Sequence, residues 1–254
     1  MTAPKILVEK NGPITTILLN RPDVKNALDQ EASELLSQAL NIFDEDESQK
    51  VAVITGTGGA FCAGADLKEA SSRVDYKAWA GHPEGPLHQP LSKPIIAAVA
   101  GHAVAGGLGI ALYCDIRIAE ETAIFGIFCR RWGVPMSDGT PTRLPRIIGV
   151  GPAMDMMLTG KAVTADEALR LGLITRITKT GEARAEAEKL ALQIAGFPPI
   201  AMLADRHGIY FQEGRPEEVA IAEEWKSAQE AQFKEAKIGA ARFAEGEGRH
   251  GKFD

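Results

Sequence analysis

Near the start of the chain apolar residues crowd into two short runs, 6–9 and 14–19, separated by Asn11-Gly12-Pro13. Gly and Pro side by side break regular structure, so the pattern predicts two strands joined by a turn. The period then changes. Leu28, Ala32, Leu35, Leu36, Ala39 and Phe43 share one face of a helix predicted over 26–43. Runs 51–55, 95–99 and 116–119 are short, apolar and rich in β-branched residues. Such runs suit strands covered on both faces, which predicts a layered α/β core.

The middle of the chain is punctuated for helices. Pro152 stands where a first helical residue belongs and Gly160 where a C-terminal cap belongs. Thr164 with Glu167 three residues on forms a capping box, and that helix should stop at Gly172. From Thr180 onward the pattern is helical. Ala183, Ala187, Leu190, Ala191 and Ile194 form one stripe; Val219, Ala222 and Trp225 form another. Pro198-Pro199 separates a core, 1–197, from a helical tail, 198–254.

Composition narrows the class. An apolar share of 45 % over 254 residues is enough to bury a sizeable core. The net charge of −6 argues against a nucleic-acid partner, though not against an anionic ligand held by backbone amides. The longest apolar stretch, 95–113, is interrupted by His102, Gly101, Gly106, Gly107 and Gly109, which does not suit a membrane span. The first residues lack the apolar run of a signal peptide. Cys62, Cys114 and Cys129 have no metal-site spacing, and an odd number suggests no disulfide framework. A cytoplasmic, reduced protein is expected.

Dinucleotide, phosphate-loop, serine-hydrolase and zinc-protease signatures are absent from the sequence. Two glycine-rich turns remain, 56–67 and 101–109, each directly after a predicted strand. Glycine lets a ligand approach the backbone, and a helix opening at such a turn directs free N–H groups outward. Two facing turns could bring two amides to one oxygen. Each donor in such an oxyanion hole is worth about 3–4 kcal/mol in a transition state. Taken alone, the turns are weak evidence of a site, because tight strand-to-helix packing is the commoner use of glycine in such places.

The wording of the turns adds to this. Asn20-Arg21-Pro22-Asp23-Val24-Lys25-Asn26-Ala27-Leu28, Ala60-Phe61-Cys62-Ala63-Gly64-Ala65-Asp66-Leu67 and Lys93-Pro94-Ile95-Ile96-Ala97-Ala98-Val99 resemble the enoyl-CoA hydratase/isomerase (crotonase) family in order and spacing. Cys114-Asp115-Ile116, Arg143-Leu144-Pro145-Arg146 and Leu158-Thr159-Gly160 continue the resemblance, which runs from about Ile6 to the C-terminus. It implies an α/β fold: a spiral of ββα units followed by a helical region that packs subunits into homotrimers or hexamers. It also implies an acyl-CoA substrate, with coenzyme A entering as part of that substrate and no metal or redox cofactor. The N–H groups of Ala65 and Gly106 would hold the thioester oxygen. Ala63, Asp66 and Leu67 would lie along the CoA, flanked by Lys25 and Ala27.

The resemblance also marks a departure. Hydratases of the family activate water with two glutamates, and the matching positions here are Gly109 and Cys129. Glycine offers no side chain, and a thiol with an ordinary pKa near 8.5 is a poor substitute for a carboxylate. Asp138, which borders the acyl pocket by the resemblance, is a candidate acid–base group; a turn aspartate before Gly139 is the competing role. His82 and His88 fall in a segment that would cover the pocket, with Tyr76 and Trp79 as possible walls; surface positions and core packing are the competing accounts. Arg130 and Arg131 could meet a CoA phosphate or an acidic acyl group, or form surface ion pairs. The expected function is enolate chemistry on an acyl-CoA. The alternative is an acyl-CoA-binding subunit or sensor that has lost catalysis.

Overall fold

The structure, a computed structural model, describes residues 3–72 and 85–248. It opens with the hairpin β1 (Ile6–Asn11) and β2 (Ile14–Leu19), paired antiparallel with Ile6 opposite Leu19. Between them Gly12 takes φ +56°. Helix α1 (Gln30–Glu45) follows and buries Ala32, Leu36, Ala39, Leu40 and Phe43. It begins four residues later than the apolar period predicts. Lys25 and Asn26 both hold left-handed backbone, with φ of 51° and 57°, so no helix can pass through them. Asp29 then caps α1, its Oδ1 accepting the Ala32 N–H at 2.9 Å.

After α1 the chain winds. β3 (Val51–Gly56) leads through the first glycine-rich turn to α2 (Leu67–Ser72). β4 (Ile95–Val99) turns sharply into β5 (His102–Val104) and then α3 (Gly106–Tyr113). β6 (Ile116–Glu120) turns in the same way into β7 (Ile124–Gly126), followed by a 3-10 turn over Phe128–Trp132, α4 (Thr140–Ile148) and α5 (Val150–Thr159). β8 (Ala162–Thr164), α6 (Ala165–Arg170), β9 (Arg176–Thr178) and α7 (Ala183–Ala195) complete the unit. One sheet runs β1-β2-β3-β4-β6-β9, parallel from β2 onward, and a second runs β5-β7-β8. Each winding thus adds a strand to the large sheet, turns a corner, and ends on a helix. The first winding reaches the second sheet only through a bridge between Cys62 and Ala103.

β3 and β4 are buried from end to end but for the partly exposed Gly56, as the unbroken apolar runs imply. Helix α3 is buried on every side after Gly106, so it carries no amphipathic period. Thr164 caps α6, accepting from the Glu167 N–H, and Gly160 and Gly172 take the left-handed conformation expected of helix stops. Helix α5 starts at Val150, so Pro152 sits inside the first turn rather than at its first residue. Proline is tolerated there because first-turn N–H groups have no partner within the helix.

Residues Met1–Ile194 and Ala195–Asp254 form two compact units. The second contains α8 (Pro199–Phe211), α9 (Glu217–Ala231), a π-helical segment over Gln232–Ala236 and α10 (Lys237–Glu245). Glu235 caps α8 by accepting the N–H groups of Ile200 and Ala201 at 3.0 and 2.9 Å. Among the described residues no helix is long and apolar enough to cross a membrane.

Candidate active site

The site lies where two consecutive windings begin their helices. Leu28 donates to the Gly64 carbonyl at 2.8 Å and accepts from Asp66 N–H at 2.9 Å, forming a parallel bridge opposite Ala65. In that pattern the neighbours of Ala65 make the bonds, and the N–H of Ala65 points to the other side. Gly106 is the first residue of α3, so its N–H has no carbonyl one turn back to bond. The preceding Ala105 holds φ +49° and ψ −127°, a conformation costing of order 1–3 kcal/mol that turns the chain into the helix. Gly64 shows how close the two loops lie. A Cβ at that position would stand 2.7 Å from Gly106 N and 3.0 Å from the Ala105 side chain.

Ala65 and Gly106 both line a cavity of about 390 Å³ that Ala63, Leu67, Ala105, Cys129 and Asp138 also border. Its remaining wall, Phe128, Trp132, Val134, Pro135, Met136 and Ser137, follows from the 3-10 turn and the loop behind it. The turn closes on Gly133 at φ +71°, and Val134 N–H bonds back to the Cys129 carbonyl. Sequence reading singled out Ala65, Gly106 and Asp138, which line this cavity, but not its apolar wall, which has neither helical nor strand period.

Asp138 is 4 % exposed. Its Oδ1 accepts the Thr140 N–H at 3.0 Å, a turn bond before α4, so the capping role and a place in the cavity coexist. Burial raises the carboxyl above the usual aspartate value, against the lowering effect of that amide and of the Arg143 charge. Arg143 itself bonds the carbonyls of Asp138 and Leu87. Gly109 makes the arrangement possible. A Cβ on Gly109 would stand 2.5 Å from the Asp138 Cγ and 3.1 Å from its Cβ, so the carboxyl occupies the space that a side chain at 109 would need.

Cys129 is buried beside Met136, its Sγ 3.1 Å from the thioether sulfur. Burial pushes its thiol up, with Asp138 adding to the shift and Arg130 opposing it. Cys62 is fully buried and raised to about 12, and all three cysteines are free.

The remaining candidates spread around this centre. Lys25 is exposed and gives its carbonyl to Ala63 N–H at 2.9 Å, while the buried Ala27 carbonyl accepts from Arg21. Asp66 pairs with Arg21 at 3.0 Å and receives the Lys68 N–H at 3.1 Å, so its carboxylate holds the turn and opens α2. These three support the loop rather than line the cavity. His88 is exposed, and Arg131 lies over the Phe128 ring and bonds the Gly160 carbonyl. Tyr76, Trp79 and His82 lie outside the described residues. Among the described residues no three His, Cys, Asp or Glu gather into a set that could hold a metal.

A spiral in which successive windings add a strand to the large sheet and end on a helix defines a crotonase-type fold. Comparison with known proteins agrees. The solved structure of enoyl-CoA hydratase EchA1 from Mycobacterium marinum matches with a TM-score of 0.89 and 34 % identity over 96 % of each chain. The sequence model of the enoyl-CoA hydratase/isomerase family matches residues 9–250, and the chain belongs to that family. Enoyl-CoA hydratase EchA19 of Mycobacterium tuberculosis is 37 % identical over 227 residues, which are 87 % of this chain and 85 % of that protein. (E)-Benzylidenesuccinyl-CoA hydratase of Thauera aromatica is 35 % identical over 85 % of this chain and 86 % of its own.

Proposed function

We propose that this chain holds an acyl-CoA thioester with its carbonyl oxygen between the N–H groups of Ala65 and Gly106, and that Asp138 moves the proton. One observation carries the reading: the Asp138 carboxyl fills the space left by the missing side chain of residue 109, at the cavity those amides border. The ionised carboxyl takes a proton from the carbon next to the thioester. The electron pair moves onto the carbonyl oxygen, where two donors stabilise the enolate; the protonated carboxyl then returns the proton. A carboxyl raised by burial is a better proton carrier than an ordinary aspartate.

Two-glutamate hydration does not fit these residues. Gly109 has no side chain, and the Cys129 thiol is buried against Met136 and raised. The loop holding Ala63 and Leu67, braced by Lys25, Ala27 and Asp66, would carry the CoA. Acetyl-CoA and longer acyl-CoAs should raise the melting temperature, as ligands of the folded state do, while crotonyl-CoA should be hydrated slowly or not at all. No thermal shift across acyl-CoAs at millimolar concentration would refute the substrate class, and rapid hydration would refute the single-carboxyl mechanism. Binding with no turnover would leave an acyl-CoA-binding subunit.

A further inference from the structure

Among the described residues one buried side-chain oxygen stands without a hydrogen bond, the hydroxyl of Thr140. Thr140 is fully buried and is the first residue of α4, two positions after Asp138. Its polar groups differ in what they do. The backbone N–H donates to Asp138 Oδ1 at 3.0 Å, while the hydroxyl makes no bond. Burying a hydroxyl without a partner is costly, so its presence calls for a reason. The hydroxyl lies close enough to the Asp138 carboxyl to oppose the rise that burial causes in its pKa, yet outside hydrogen-bond geometry. The other groups described around that carboxyl come from three elements. Arg143 on α4 favours its ionised form, Cys129 of the 3-10 turn, with Arg130 beside it, feels its charge, and α3 faces it with Gly109.

Resting on the function proposed above, we infer that Thr140 is a positioning residue, whose hydroxyl donates to the Asp138 carboxylate while that group is ionised and releases it once the carboxylate has taken up a proton. A hydrogen bond to an ionised group is roughly twice as strong as one between neutral groups, so the hydroxyl has its acceptor only in the charged state. It thereby holds the base ionised and in place at the cavity, against the desolvation that favours the neutral acid.

Carbon-13 NMR titration of the full-length protein, labelled at its aspartate carboxyls, tests this directly, with the Asp138 signal assigned by its loss in Asp138→Asn. Thr140→Val replaces the hydroxyl with a methyl of similar shape. The Asp138 pKa should then rise by at least about one pH unit above that of the wild type, because the ionised form has lost a donor. Thr140→Ala should shift it the same way, which keeps the test open should the valine variant fail to fold. Thr140→Ser keeps the hydroxyl and should restore most of the difference. The α-proton exchange of hexanoyl-CoA in deuterated water supplies the second readout. At pH below the wild-type Asp138 pKa its rate should fall about 10-fold in Thr140→Val, with KM changed by less than about 2-fold and the pH profile displaced upward. An Asp138 pKa indifferent to loss of the hydroxyl, or a serine variant as impaired as the valine one, overturns the inference. Absence of exchange by the wild type overturns the proposed function instead, and the carboxyl titration, which needs no substrate, still decides what the hydroxyl does.

Discussion

Gly109 and Asp138 act as a pair, because one side chain fits only where the other is missing. Gly109→Ala should therefore mimic loss of the acid. Alanine favours a helix over glycine by about 1 kcal/mol, yet here its methyl must push the Asp138 carboxyl out of place. Turnover should fall by at least about 10-fold with little gain in melting temperature, measured side by side. Asp138 also makes a stability prediction with a definite sign. Its folded pKa is raised by burial, so the folded state binds the proton more tightly than the unfolded chain. The stabilisation due to the protonated form is complete below the ordinary aspartate value and is lost as pH rises through the raised one. At pH 7 Asp138→Asn should melt at or above the wild type, with the advantage shrinking as pH falls towards about 4, the ordinary value. A variant markedly less stable at pH 7 would show that the carboxylate serves the fold.

At the scale of elements, the strands and caps were legible because their causes are local. Gly160, Thr164 and Gly172 perform the roles their residue types suggest, and runs 51–55 and 95–99 became fully buried strands. The start of α1 was not legible, because Asn26 is held by distant groups. It is fully buried, its Oδ1 accepts from Arg21 N–H, and its Nδ2 donates to the carbonyls of Thr57 and Ala60. Those bonds clamp the first glycine-rich turn in place. Asn26→Ala should cost about 2–3 kcal/mol by chemical denaturation, the range for stranding buried partners, and a loss below about 0.5 kcal/mol would show that the clamp is dispensable. The strands β5, β7, β8 and β9 have three residues each, too few for a period to appear. Nor could sequence spacing reveal that Gly109 and Asp138 touch, since α3 and the loop before α4 meet only in the folded chain.

At the scale of the molecule, the repeated winding places the openings of α2 and α3 next to each other, and the amides of Ala65 and Gly106 with them. The unit over Ala195–Asp254 leaves Trp225, Phe233, Ile238 and Phe243 each more than 60 % exposed. That much apolar surface suits a homotrimer or hexamer, and light scattering at micromolar concentration should find a mass several times 27.1 kDa. A monomer would contradict this assembly without touching the chemistry. The chemistry has its own direct test, which does not require knowing the natural substrate. Hexanoyl-CoA incubated with the enzyme in deuterated water should exchange its α-protons, followed by NMR, because the proposed enolate formation at Ala65 and Gly106, with proton transfer to Asp138, would be reversible. The account predicts exchange by the wild type and a rate at least about 100-fold lower in Asp138→Asn. No exchange by the wild type, or equal exchange by both, would contradict it.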